Sequence, residues 1–164
     1  MRFAPMIFAA LLPMSAAAHD FKIGDLVVMH PVAFSTAKTA MTGAGYLTIT
    51  NTGETADRLL AVEADFPRVM VHDTKVEDGL ATMFHIDALD IAPGETVELA
   101  PGGKHVMFMG LNGDPFEVGE EVNATLVFEN AGSLEVVFKV EERPEMQMDH
   151  GEDSDEAAVD HSGH

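Results

Sequence analysis

The sequence contains no cysteine and no tryptophan, a single tyrosine, and 9 basic residues against 28 acidic ones. Without cysteine the chain cannot form a disulfide, a thiolate zinc or iron–sulfur site, a CxxC redox motif or a cysteine nucleophile. A blue-copper centre is excluded as well, because it requires a thiolate. The formal net charge of −19 disfavours nucleic acids and anionic membrane surfaces as partners, since both attract Lys and Arg and repel carboxylates. The hydrophobic share of 46% is still sufficient for a folded core.

Long apolar runs are also lacking, except at the N-terminus. Residues 1–18 carry one arginine, then an apolar stretch interrupted by Pro13, then small residues. This stretch is shorter than the roughly 20 residues of a membrane-spanning helix. Ala16 and Ala18 fit the small-residue positions before a signal-peptidase cleavage point. We therefore predict a secretory signal peptide over residues 1–18, cleavage before His19, and a periplasmic mature protein that does not insert into the membrane.

The body of the chain has the pattern of an all-β domain. Short apolar runs, mostly with period two, recur at intervals of roughly ten residues and are separated by Gly, Pro and Asn, as in a β-sandwich or small barrel. Residues 130–132 predict a hairpin turn, and residues 36–44 fit either a loop or a short helical turn. The predicted strands include residues 26–29, 46–50, 59–62, 69–72, 81–86, 105–109, 122–128 and 134–140.

The composition changes near the C-terminus. Residues 141–164 hold nine acidic residues, one arginine and almost no large aliphatic residues. Such a segment buries too little apolar surface to offset its ordering entropy. We predict a β-domain over residues 19–141 and a disordered acidic tail over residues 142–164. The tail is unusually rich in His and Met for a purely solubilising extension, with Met146, Met148, His150, His161 and His164.

The supply of His and Met, 8 and 11 residues respectively, is the most informative feature. Thioethers are soft ligands and imidazoles are intermediate, so the two together suit monovalent copper better than zinc, calcium or magnesium. Ten residues separate His72 from Met83, twenty-one separate Met83 from His105, and one separates His105 from Met107. His105 and Met107 would share one face of a strand, about 6.6 Å apart. A hairpin turn around residues 77–79 could bring His72 and Met83 together, giving a site of two nitrogens and two sulfurs.

The other His and Met residues of the domain have weaker claims. A single Met on a strand usually fills the core, and a single buried His is usually hydrogen-bonded rather than metal-bound. We interpret the remaining residues as structural on these grounds: Met29, His30, Met41, Met70, His85 and Met109.

The pattern His72-x10-Met83-x21-His105-x-Met107 resembles that of the periplasmic copper chaperones called PCu(A)C. The resemblance implies a cupredoxin-like Greek-key β-sandwich or barrel that carries Cu(I) on these four residues. It also implies delivery of copper to cytochrome c oxidase, through an oxidase subunit or a Sco-type assembly protein. The same resemblance extends over about residues 19–141, in 46–53 (YLTITNTG), 71–73 (VHD), 91–94 (IAPG) and 101–111 (PGGKHVMFMGL).

Two further copper sites are open at this point. Cleavage before His19 would leave a free amine beside an imidazole, and such nitrogen donors favour Cu(II); the arrangement resembles the N-terminal histidine of CopC-type carriers and copper monooxygenases. Some PCu(A)C relatives carry a His- and Met-rich C-terminal extension that binds a second copper. That resemblance implies a Cu(II) role for the tail residues named above.

We expect a copper chaperone rather than an enzyme, because no Ser-His-Asp grouping, phosphate loop or paired-carboxylate spacing stands above background. Two alternatives remain. A copper-dependent oxygenase or a CopC-like Cu(II) carrier would use His19, and the oxygenase would need His30 or His85 as a further ligand. A metal-free adhesion or scaffold sandwich would take up no metal at all.

Overall fold

The computed structural model describes residues 20–144. A helix with the length and apolar composition of a membrane span is absent from these residues. The predicted signal peptide over 1–18, His19, and the tail residues Met146, Met148, His150, His161 and His164 lie outside the described residues.

Eleven strands and the turns between them make up residues 20–144, which contain no helix. They are β1 (Phe21–Ile23), β2 (Leu26–Phe34), β3 (Thr42–Asn51), β4 (Asp57–Ala64), β5 (Arg68–Glu77), β6 (Leu80–His85), β7 (Leu89–Ile91), β8 (Thr96–Leu99), β9 (His105–Met109), β10 (Glu121–Phe128) and β11 (Ser133–Glu141).

The strands form one continuous sheet in the order β6-β5-β9-β3-β2-β11-β10-β4-β7, with β1 paired to β2 and β8 paired to β3. The β11–β2 pair is parallel, and every other described pair is antiparallel. Neighbours in space are often distant in sequence, as in β5-β9-β3. Because all eleven strands of the described residues join one sheet, the all-β prediction is confirmed. The strands β5, β9 and β3 lie side by side through long-range pairing, since they are far apart in sequence.

The core lies on one face of the strands, which follows from the alternation of side chains along each of them. In β9, Val106 and Phe108 are fully buried. The Phe108 ring packs edge-on against those of Phe116 and Phe138, with ring centroids 5.6 and 5.5 Å apart. This aromatic cluster packs β9 against the core. The residues of β9 that alternate with Val106 and Phe108 therefore lie on the opposite face of the sheet.

Glycine in β3 makes room for that cluster. A Cβ at Gly45 would stand 2.9 Å from ring atoms of both Phe108 and Phe138, closer than carbon atoms pack. Gly45 pairs with Val106 of β9. The absence of a side chain at Gly45 therefore leaves room for Phe108 of β9 and Phe138 of β11 to pack against β3.

Both predicted hairpin turns are confirmed. Glu77 pairs with Leu80 across a two-residue turn, and Asp78 and Gly79 adopt the positive φ angles of 51° and 77° that favour Asp-Gly in such a turn. The β10–β11 hairpin turns at residues 129–132, where the Phe128 amide donates to the Gly132 carbonyl at 2.8 Å.

Two local expectations are refined by the structure. The strand predicted over 26–29 does not end at His30, because β2 continues to Phe34 through a register shift between Met29 and Val32. His30 sits in this irregularity with a φ of 51°. Residues 36–44, predicted as a loop or a short helical turn, divide into two parts. The Ala40 amide donates to the Ala37 carbonyl in a turn, and the strand β3 begins at Thr42.

Candidate metal centre

Three adjacent strands, β6, β5 and β9, carry the candidate site. His72 of β5 lies directly opposite His105 of β9 on one side and His85 of β6 on the other. The ring centroid of His72 is 5.9 Å from that of His105 and 6.0 Å from that of His85, both in edge-on arrangements. His72 is therefore the central residue of a row of three imidazoles.

His105 and Met107 share a face of β9, as the sequence predicts. Val106 and Phe108 point into the core, so His105, Met107 and Met109 lie on the opposite face. This is also the face of His72, because directly opposed residues of paired strands project to the same side of a sheet.

Met107 is half-buried between small and apolar neighbours. It lies opposite Met70 of β5 and opposite Ala44 of β3. Since Met107 follows His105 by two positions, it is a diagonal neighbour of His72, a distance that long side chains span. His72 lies on the β5 side of Met107, the side of Met70 rather than of Ala44.

Met83 approaches His72 from the other strand. It pairs with Thr74, so it is also diagonal to His72, but in the opposite direction along β5 from Met107. Its side chain is 58% exposed, and all of β6 is exposed at this edge of the sheet. Both thioethers must reach inward toward His72 if one ion is to contact all four predicted ligands.

His105 is held in a defined orientation. The residue is 7% exposed, and its Nδ1 lies 3.0 Å from the Gly103 carbonyl oxygen. A carbonyl only accepts hydrogen bonds, so Nδ1 must carry the proton and Nε2 keeps its lone pair. This carbonyl-anchored tautomer is the usual support of a metal-binding histidine.

His72 has a buried nitrogen without a partner. Among residues 20–144, its Nδ1 is buried and makes no hydrogen bond, which is a costly arrangement for a polar atom. Burial lowers the pKa of His72 below the ordinary value of 6.5, and the neighbouring His105 and His85 lower the pKa further. The ring is therefore held neutral with lone-pair capacity available, the state in which imidazole binds a metal.

His85 is the residue that the sequence interpretation set aside as structural. Its Nδ1 donates to the Val71 carbonyl oxygen at 3.1 Å, since a carbonyl only accepts hydrogen bonds. Its Nε2 is 3.3 Å from the Asp87 carboxylate. The sequence contains a signal for this position. If Asp78 and Gly79 form a two-residue turn, counting outward along the two strands places His85 directly opposite His72. Met83 is then two positions away from the residue that faces His72.

The donor chemistry of the cluster is soft. Within residues 20–144, no three His, Asp or Glu side chains are grouped closely enough to hold a metal ion by themselves. The predicted ligand pattern needs no third imidazole or carboxylate, because it adds two neutral thioethers to two imidazoles. A metal bound here would therefore be one that accepts sulfur, in the way that monovalent copper does.

Comparison with known proteins adds the family. The profile of the family described as "Putative lipoprotein LpqE-like" matches residues 26–140. The chain belongs to this family. The curated protein described as "Putative lipoprotein Lxx21020", from Leifsonia xyli subsp. xyli, is 32% identical over 136 residues, which cover 82% of this chain and 80% of that protein.

Solved structures similar to this LpqE-like chain include PCuAC domains. The copper-bound PCuAC domain from PmoF2 has 28% identity and a TM-score of 0.64, covering 76% of this chain and 99% of that domain. The apo PCuAC domain from PmoF1 has 28% identity and a TM-score of 0.65, covering 76% and 100%. Cu(I)-bound DR1885 from Deinococcus radiodurans has 27% identity and a TM-score of 0.59, covering 79% and 84%.

These likenesses confirm two sequence predictions, the PCu(A)C family and the cupredoxin-like β fold. The resemblance was carried by residues 46–53, 71–73, 91–94 and 101–111. In the structure the first of these falls largely on β3, and the second and fourth place His72 and His105 on paired strands. Two of the four stretches therefore lie in the part of the sheet that forms the candidate site, and the other two lie elsewhere in the fold.

Proposed function

We propose that this protein is a copper chaperone that holds Cu(I) through His72, Met83, His105 and Met107. The observation that carries the proposal is the cross-strand register that sets His72 beside His105 with Met107 and Met83 on its two diagonals. Copper-bound PCuAC domains among the similar structures support the choice of metal. Copper is the cargo of the protein, not the agent of a reaction.

The oxidation state follows from the donors. Two thioethers and two imidazoles carry no charge, and such soft, neutral ligands stabilise Cu(I) relative to Cu(II). They also disfavour hard divalent cations such as calcium and magnesium, which select carboxylate and carbonyl oxygens. The proposed site therefore selects its metal by ligand type, which is the selection that a carrier needs.

The uneven exposure of the ligands supports transfer. His105 is buried and anchored by the Gly103 carbonyl, whereas Met83 lies exposed on the edge strand. An accepting protein could bring its own ligand to the exposed Met83 side before the chaperone releases the ion. Copper would then move through shared coordination without ever being free in solution.

The proposed acceptor is a copper-receiving protein such as a cytochrome c oxidase subunit or a Sco-type assembly protein. The formal net charge of −19 would steer such a partner toward the chaperone if its docking surface is basic, and salt would weaken the attraction. The relatives described as lipoproteins support an exported protein. We propose the periplasm as the location, with residues 1–18 as the signal peptide.

A Cu(I) titration tests the function. In competition with a chromophoric Cu(I) chelator, the purified protein should bind one Cu(I) at the main site, and His105→Ala should lower the affinity at least tenfold. Loss of an outer partner of a metal ligand already costs about 10–100-fold, so loss of a ligand should cost no less. An unchanged affinity in His105→Ala, with the fold intact by circular dichroism, would contradict the proposed site.

A further inference from the structure

The inference concerns His85, which the four-residue ligand set leaves out. His85 lies directly opposite His72, at the same ring spacing as His105 on the other side. Since Met83 precedes His85 by two residues on the same strand, the two side chains share the face of His72. Three donors, two imidazoles and one thioether, thus meet at the outer edge of the sheet.

The surroundings of His85 leave one ring nitrogen for a metal. Nδ1 is engaged by the Val71 carbonyl oxygen, so Nε2 is the nitrogen that could bind an ion, and it lies 3.3 Å from the Asp87 carboxylate. The negative charge of that carboxylate attracts a cation to this position. The side chain of His85 is 40% exposed and that of Asp87 is fully exposed, so a cation can reach this position from solvent.

We propose that His72, Met83 and His85 form an exit set for Cu(I), which takes the ion from the four-ligand holding set during transfer. This inference rests on the proposed function. His72 and Met83 stay bound throughout, while His85 on β6 replaces His105 and Met107 on β9. The exchange moves the ion by one strand, from the buried side of His72 to the exposed edge, and changes neither its charge nor its oxidation state.

The exit set lies at the exposed edge of the sheet, where a partner protein can reach the ion. β6 is the last strand on this side of the sheet, and each of its residues is exposed. A partner approaching this edge meets His85 and Met83 before it meets His105, which is 7% exposed. A three-coordinate ion at the edge also has an open position for an incoming ligand, whereas a four-coordinate ion has none.

A double-mutant cycle on Cu(I) affinity tests the inference. In the wild-type background, His85→Gln should lower the affinity less than about threefold, because the holding set is intact. In the His105→Ala background, where the holding set lacks one of its two imidazoles and His85 can replace it, His85→Gln should lower the remaining affinity more than about tenfold, a coupling expected of residues that serve one ion. His85→Met, which restores a soft donor, should recover most of that loss.

The control is His30→Asn. His30 is exposed on β2 and has a φ of 51°, which Asn tolerates, so this change should leave both affinities unaltered. Equal effects of His85→Gln in the two backgrounds, or a His85→Met variant no better than His85→Gln, would overturn the exit set. Failure of the wild-type protein to bind Cu(I) at all would instead overturn the proposed function, so the two failures are distinguishable.

Discussion

At the scale of single residues, the site depends on which face each side chain takes. The alternation in β9 separates Met107 from the core residues Val106 and Phe108. Met109 lies on the same face as Met107 but two residues further along β9, opposite Arg68, and is therefore further from His72. The two methionines thus share one strand face but lie at different distances from the proposed ion, and they form a matched pair for substitution.

Met107→Leu should lower Cu(I) affinity at least tenfold and leave stability nearly unchanged. Leucine conserves the volume of methionine, and such swaps usually cost less than about 1.5 kcal/mol, but leucine has no sulfur to donate. Chelator competition measures the first effect and urea denaturation of the apo protein the second. Met109→Leu is the matched control and should keep the wild-type affinity; equal losses in the two variants would contradict the assignment of Met107.

Copper affinity should depend on pH in a direction set by the histidines. A proton competes with the metal for the imidazole lone pair, while thioethers do not titrate. Burial first, and then the neighbouring His105 and His85, lower the pKa of His72, so this ring stays neutral to a lower pH than a free histidine. The Cu(I) affinity should therefore be constant at pH values above the range in which histidines usually titrate. It should decline as the pH falls below that range.

Chelator competition at a series of pH values checks this dependence. Each imidazole that must lose a proton to bind contributes a decline of about tenfold per pH unit once the pH is below its pKa. Met107→Leu should shift the whole curve downward without changing its shape. An affinity that stays level down to about pH 4 would show that histidines are not ligands.

At the scale of strands and turns, the local parts of the site could be predicted and the non-local parts could not. The period-two pattern predicts that His105 and Met107 share a face, and Asp78-Gly79 predicts the β5–β6 hairpin, because both depend only on neighbours in sequence. The pairing of β5 with β9 joins residues 68–72 to residues 105–109. No local pattern determines such a contact, and the family resemblance supplied it instead.

Two local features of the strands have physical causes that the sequence shows to different degrees. The Asp-Gly turn uses two residues, so His85 lies directly opposite His72 and Met83 lies on its diagonal. At His30, a positive φ lets β2 bend and continue, although the following proline suggests the end of a strand. The first register follows from the length of the turn, whereas the continuation of β2 becomes visible only with its partner strand.

β3 should be sensitive to the size of the residue at position 45. Gly45→Ala would place a methyl group 2.9 Å from the rings of Phe108 and Phe138, and overpacking of this kind typically costs about 1–3 kcal/mol. The loss in the free energy of unfolding should appear as a lower midpoint of urea denaturation, with an unchanged dependence of that free energy on urea concentration. Gly103→Ala is the control, because its added Cβ meets only the Ala100 carbonyl oxygen at 3.7 Å; a Gly45→Ala variant as stable as this control would contradict the packing argument.

At the scale of the whole molecule, the candidate site belongs entirely to the β-domain. The four proposed ligands lie between residues 72 and 107, on β5, β6 and β9. The predicted acidic tail, with Met146, Met148, His150, His161 and His164, and the predicted N-terminal His19 lie outside the described residues. They remain predictions of additional Cu(II) sites that the main site does not require.

Deletion of residues 145–164 should separate the two kinds of copper binding. The truncated protein should keep its Cu(I) affinity, because every proposed Cu(I) ligand is retained. It should take up less Cu(II) than the full chain, since imidazoles of the tail are removed and nitrogen donors favour the oxidised ion. Chelator competition for Cu(I) and electron paramagnetic resonance for Cu(II) measure the two separately, and a tenfold loss of Cu(I) affinity would place a main-site ligand in the tail.

X-ray absorption at the copper edge tests the central claim most directly, because it counts the neighbours of the bound ion. For the Cu(I)-loaded protein we expect two sulfur and two nitrogen neighbours, with one sulfur lost in Met83→Leu and one in Met107→Leu. Since the chain has no cysteine, every protein sulfur next to copper must come from methionine. A coordination shell of nitrogen and oxygen alone would contradict the convergence of Met83 and Met107 on His72 and His105, and with it the account of this protein as a Cu(I) carrier.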